Sequence, residues 1–178
     1  MTTARIRALT SVLRSQTKPL LAKDGFSFDS SSRTFRKVLG ELVQIINFQA
    51  GVRFMEGQFT VNLGVFHPQF SAVEPWGSVP PKPHEYDCVV RHRLSMLRPP
   101  GTVHSVFALL PNGLLKRWLT SPRDRWWRFT GNEDQIKAEL RDVEALLKSR
   151  GLPWLAEHCN IAVVKEAYEE RRPAPTGA

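Results

Sequence analysis

Between residues 26 and 67 the apolar positions alternate with polar ones, and the breaks between the alternating runs are only two to eight residues long. Connections this short cannot hold a helical crossover, so neighbouring runs must pair antiparallel. Strands are expected at 26–28, 34–39, 42–49 and 58–67, separated by Asp/Ser, Gly40-Glu41 and glycine-containing turns. That is a meander. The segment that follows, 68–85, holds Pro68, Pro75, Pro80, Pro81 and Pro83, which oppose both ladder pairing and helix continuation. It reads as an ordered surface loop anchored by Trp76.

Helical periodicity flanks this sheet. Ile6, Leu9, Val12, Leu13, Leu20 and Leu21 form the apolar face of a first helix that stops near Asp24-Gly25. Residues 86–97 satisfy either a strand, through Cys88-Val89-Val90, or a short helix, through Leu94 and Leu97. Another strand is expected at 103–110, before a turn at Pro111-Asn112-Gly113. Asn132 can cap a helix with Gln135 as its reciprocal partner, and Ile136, Leu140, Val143 and Leu147 lie four, three and four apart. Lys148, Arg150 and Gly151 suit the end of that helix, Pro153 can open a short one, and 161–168 a last one. The expected class is α+β: an N-terminal helix, an antiparallel meander of four to six strands, and C-terminal helices packed on one face. Residues 1–170 read as a single domain and 171–178 as a flexible tail.

The chain has 178 residues, and 42% of them are apolar, enough for a core without covalent staples. Two cysteines cannot build a disulfide scaffold, which favours a cytoplasmic setting, and no apolar run suits a membrane span. The formal charge of +8 concentrates in residues 1–23 and 85–128. The acid-free start reads as a basic helix rather than a transit or secretory segment. An excess of this kind fits an acidic partner protein or nucleic acid.

Motifs for nucleotide, hydrolase or metalloprotease chemistry are missing: there is no P-loop, G-x-G-x-x-G, G-x-S-x-G or H-E-x-x-H. His84, Cys88 and His92 are four apart, which would share a helical face. In a strand the spacing is about 13 Å, too far for one ion, so no metal and no cofactor is expected. Glu85, Cys88 and His92 remain the residues from which a dispersed catalytic site could be assembled. The central hairpin offers more. Asn47 and Gln49 alternate with Ile46 and Phe48, and Thr60 and Asn62 with Phe59, Val61 and Leu63, so pairing of the two strands would converge a polar patch. A merely solvated sheet face would look the same. A second candidate is the interleaving of cations and flat rings at Arg117-Trp118 and at Arg123, Arg125, Trp126, Trp127 and Arg128, which suits single-stranded nucleic acid. Adjacent Trp126 and Trp127 would point to opposite faces of a strand, so one belongs in the core.

The order Gly25-Phe26, Phe35-Arg36, Val43 to Gln49, Phe59 to Val65, Cys88, Arg93-Leu94, Trp126-Trp127 and Gly151 to Leu155 resembles a bacterial family catalogued as domain of unknown function 4304. The resemblance spans about residues 5–160. It implies a cytoplasmic α+β protein and carries no reaction, cofactor or catalytic residue. Ser95 follows Arg93-Leu94 where the family pattern has glycine. Together these readings lead to a non-catalytic recognition module that presents Asn47, Gln49, Thr60, Asn62 and Arg93 to a protein, a peptide or a small polar ligand. Arg93 contributes a planar guanidinium for carboxylate or phosphate, unless it pairs internally with an acid such as Glu85.

Overall fold

The computed structural model describes residues 2–72, 80–97, 124–129 and 132–171. Trp76, the expected strand at 103–110 with its turn, Arg117, Trp118, Arg123 and the tail from 172 lie outside them.

The chain opens with α1 (Thr2–Val12), a π-helical turn at Leu13–Thr17, and α2 (Lys18–Ala22). Leu9, Val12, Leu13 and Leu21 are fully or almost fully buried, whereas Leu20 is 37% exposed. The expected face is therefore corrected at one position. A π turn holds one residue more than an α turn, so the inward position passes from Leu20 to Leu21. The helix ends as expected at Gly25, whose φ of +85° no Cβ-bearing residue adopts cheaply. The Phe26 N–H returns to the Leu21 carbonyl and the Gly25 N–H to that of Ala22, both at 3.1 Å, which closes the paired-bond helix stop.

Four strands follow in order: β1 (Ser27–Asp29), β2 (Thr34–Leu39), β3 (Leu42–Ala50) and β4 (Gln58–Phe66). Each pairs antiparallel with the next, within a residue or so of the expected bounds. Beyond β4, residues 86–97 resolve both alternatives at once. Short 3-10 turns at Glu85–Asp87 and Leu94–Met96 flank β5 (Val90–Arg93), which extends the sheet antiparallel to β4. The two-residue β6 (Trp127–Arg128) pairs with the other end of β4.

The two faces of the sheet have separate fates. On one, Phe35, Ile46, Phe48, Phe59, Val61, Leu63 and Trp127 join the helices in one apolar core. Phe28, Phe35, Phe48, Phe59 and Trp127 form an aromatic row across five strands, with successive centroids 4.5, 5.8, 6.0 and 5.8 Å apart. Such pairs contribute about 0.5–1.5 kcal/mol each beyond simple burial.

The helical cover comes from α3 (Glu133–Leu146), a second π turn at Leu147–Gly151, and α4 (Leu152–His158). Asn132 caps α3 by accepting from the Asp134 N–H at 2.9 Å, and Ile136, Leu140, Val143 and Leu147 are wholly buried. The expected stop at Gly151 is corrected, because the helix continues through it with φ −67°. Glycine serves close packing here: a Cβ on it would lie 3.0 Å from Leu94 and Leu147. Gln16 and Thr17 of the first π turn both donate to Glu144 of α3, at 3.0 and 2.8 Å, and so tie the two interrupted helices together. The last helix, α5 (Ile161–Arg171), sets Tyr168 against Phe70. No helix among the described residues is long and apolar enough to cross a membrane.

Candidate functional site

The opposite face of the sheet carries the polar residues, and the register brings together the ones expected. Asn47 lies across from Asn62, Gln49 across from Thr60, and Asn62 across from Arg93 on the far strand. All five therefore project from one face. Their exposure separates them.

Asn47 is 6% exposed, and its amide donates to the Thr34 hydroxyl at 2.8 Å and the Ser32 carbonyl at 3.2 Å. Thr60 is fully buried. Neither reaches a surface that a ligand could touch, so the presented set contracts to Gln49, Asn62 and Arg93. The cause is tertiary: strand alternation assigns a face but cannot tell which part of it another segment covers. Asn47 instead stitches β2 to β3.

The covering segment runs from Pro83 to Val89. Gly64, in the middle of β4, lets it approach, since a Cβ there would stand 2.7 Å from the Cys88 sulfur, 3.1 Å from its Cβ and 3.6 Å from the Glu85 Cα. Arg36 fastens the same segment by donating from Nε to the Pro83 carbonyl at 2.7 Å, while Nη1 meets Asp29 at 3.3 Å. At the turn, the Asp87 carboxylate accepts from the His84 N–H at 2.7 Å, and the Tyr86 ring stacks on His84 with centroids 5.0 Å apart.

Between this segment and β5 lies an open cavity of about 590 Å³, of a size common to small-ligand pockets. Gln49 and Asn62 form its floor, Glu85 and Tyr86 one wall, and Arg91, His92, Arg93 and Met96 the other. The Asn62 amide donates to Gln49 Oε1 at 2.8 Å and to Glu85 Oε1 at 3.4 Å. Glu85 Oε2 is buried and has no hydrogen-bond partner among the described residues; the Thr60 hydroxyl and Arg36 Nη2 share that condition. Unmatched buried polar atoms are uncommon, and of these three residues Glu85 lines the cavity, where an outside group could meet its carboxylate.

Arg93 does not pair with Glu85. Its guanidinium donates to Asp124 and lies over the Trp126 ring, 5.3 Å from the centroid, while the Trp126 indole N–H donates to the same carboxylate at 3.2 Å. The arginine is thus fixed by an acid far along the chain. Sequence reasoning left Tyr86, Arg91 and Met96 out of the polar site and kept Glu85 for catalysis or as an internal partner of Arg93. The available signal was Gly64: an isolated glycine inside a strand marks the close approach of another backbone.

The Arg/Trp segment is organised internally. Trp127 is 1% exposed and donates to Asp142 at 2.8 Å, so it cannot stack a base. Arg125 pairs with that carboxylate at 3.0 Å and lies over the Trp127 ring. Arg128 is exposed, and the Trp126 ring is covered by Arg93. The dispersed set Glu85, Cys88 and His92 does not assemble either. Cys88 is fully buried, and burial, then the Asp87 and Glu85 charges, push its thiol far up, which keeps it protonated. His92 leans toward Trp154 of α4 at 6.0 Å, with Nδ1–H donating to the Arg93 carbonyl. Among the described residues no three His, Cys, Asp or Glu side chains are placed to hold a metal ion.

The family described as Domain of unknown function (DUF4304) matches residues 17–157, and the chain belongs to it. No curated protein and no solved structure matches the chain.

Proposed function

We propose that the chain is a non-catalytic recognition module that holds a small polar ligand, or a polar segment of a peptide or partner protein, in the cavity floored by Gln49 and Asn62. One observation carries this reading: a hydrogen-bonded amide chain leads from Gln49 through Asn62 to a carboxylate whose second oxygen is buried without a partner. Among the described residues the site has fixed polar groups and an opening, and no nucleophile poised beside a base. The excess of basic residues supports an acidic partner, whose approach such a charge would accelerate. Nucleic-acid binding draws less support, since Trp127 is in the core and Trp126 is covered by Arg93.

The test uses the side-chain NH2 resonances of Asn62 and Gln49 in isotope-labelled protein, followed while small carboxylates, amines, amides and amino acids are added singly. Saturable shifts confined to these resonances and their cavity neighbours are expected, and Asn62→Leu should abolish them while the melting temperature stays within about 2 °C. Shifts that map elsewhere, or survive Asn62→Leu, overturn the assignment.

A further inference from the structure

The unmatched charges of this cavity define the ligand more closely. Resting on the recognition reading above, we propose that the site takes a small zwitterion of amino-acid or dipeptide size, its ammonium against Glu85 and its carboxylate toward Arg91.

Glu85 Oε2 is an acceptor only, buried and unpartnered among the described residues, so its complement is an N–H donor and a cationic one is favoured. A purely anionic ligand would be repelled at this wall. Across the cavity, Arg93 is engaged by Asp124 and Trp126, whereas Arg91 is exposed and forms no ion pair among the described residues. One negative and one positive group therefore remain uncompensated. Both line the same cavity: the Glu85 backbone lies over Gly64, and Arg91 is the cross-strand partner of Gly64 on the neighbouring strand. With both groups on one cavity of about 590 Å³, a ligand that bridges them is of amino-acid or dipeptide size. The neutral amides of Gln49 and Asn62 lie alongside, suited to a peptide-like N–H and C=O between them.

The experiment compares dialanine, N-acetyl-dialanine, which lacks the ammonium, and dialaninamide, which lacks the carboxylate. Each is titrated into the full chain and into Glu85→Gln and Arg91→Gln variants, read by the Asn62 and Gln49 side-chain resonances and by calorimetry. Dialanine should bind at least tenfold more tightly than either blocked form. Glu85→Gln should erase its advantage over the acetylated peptide, and Arg91→Gln its advantage over the amide. Equal binding of free and acetylated peptide by the unaltered chain, which requires no variant to fold, overturns the ammonium assignment. If none of the three peptides shifts the two resonances while other polar fragments do, the zwitterion is refuted and the recognition face stands. If no compound shifts them, both readings fall together.

Discussion

Replacing Gly64 by alanine tests whether the close approach of the 83–89 segment to β4 is what builds the candidate site. The φ of Gly64 lies outside the left-handed region, so alanine suits the backbone and by itself would add about 0.4–1 kcal/mol by restricting the unfolded chain. Against this, the new methyl would meet the Cys88 sulfur at 2.7 Å and its Cβ at 3.1 Å, and Cys88 is fully buried with nowhere to retreat. Overpacking of this kind costs about 1–3 kcal/mol. At mid-range values the clash prevails, for a net loss of about 1–2 kcal/mol and a melting temperature lower by about 2–8 °C. Removing the sulfur should reverse most of it. In a Cys88→Ala background the closest contact is gone and only the 3.1 Å approach remains, so Gly64→Ala should cost less than about 0.5 kcal/mol. Urea unfolding of the four proteins, with unchanged slopes and shifted midpoints, supplies the cycle. Strictly additive losses would refute the argument that glycine is needed at 64 to seat Cys88 and, with it, Glu85.

Asn47→Leu should lower stability by about 1–3 kcal/mol, since it removes the buried amide's bonds to the Thr34 hydroxyl and the Ser32 carbonyl, in contrast to the nearly neutral Asn62→Leu; thermal melts of the pair distinguish a structural amide from a presented one. Asp142→Ala should cost about 1–3 kcal/mol by leaving the Trp127 indole N–H unpaired in the core, and Asp142→Asn, which retains an acceptor, clearly less. Asp29 is held well below its ordinary value of 3.8, first by the Ser31 hydroxyl, with burial opposing and the Ser31 N–H, Ser32 and Arg36 assisting. Because the folded carboxyl is the more acidic one, its stabilisation is complete above about pH 5 and is lost as pH falls below about 4. Asp29→Asn should flatten that acid limb of the stability profile, measured by urea midpoints between pH 2 and 6.

The meander was legible because its cause is local: alternation in 26–67 and breaks too short for crossovers leave antiparallel pairing as the available arrangement. The same pattern placed Asn47, Gln49, Thr60 and Asn62 on one face. It could not separate them, since alternation assigns a face and not the burial that sets Asn47 and Thr60 apart from Gln49 and Asn62. Arg93 was found while its acid was misassigned, because Asp124 enters through tertiary folding. The two helix misreadings differ in origin: glycine at 151 reads as a stop but serves close packing against Leu94 and Leu147, while regular spacing puts Leu20 inward. Regular 3.6-residue spacing has no place for an added residue, and nothing at Leu13–Thr17 announces one.

The turn at Leu147–Gly151 makes chain length, not only residue type, a constraint on this helix. Leu147 and Leu155 are eight residues apart, which in a regular α-helix would leave them about 80° out of line. Both are nevertheless wholly buried, because the widened turn takes back roughly one residue of rotation. Lys148 and Ser149 are exposed there and free to change identity. Deleting either would let the helix close regularly with Leu147 and Leu155 seven residues apart and only about 20° out of line, so Leu155 would keep its place in the core and its carbonyl would stay near the buried Gln44 amide that reaches it at 3.0 Å. A single-residue gap in this solvent-facing stretch would therefore be tolerated, whereas one further inserted residue would turn Leu155 about 100° away from the core and harm the protein more than almost any substitution there.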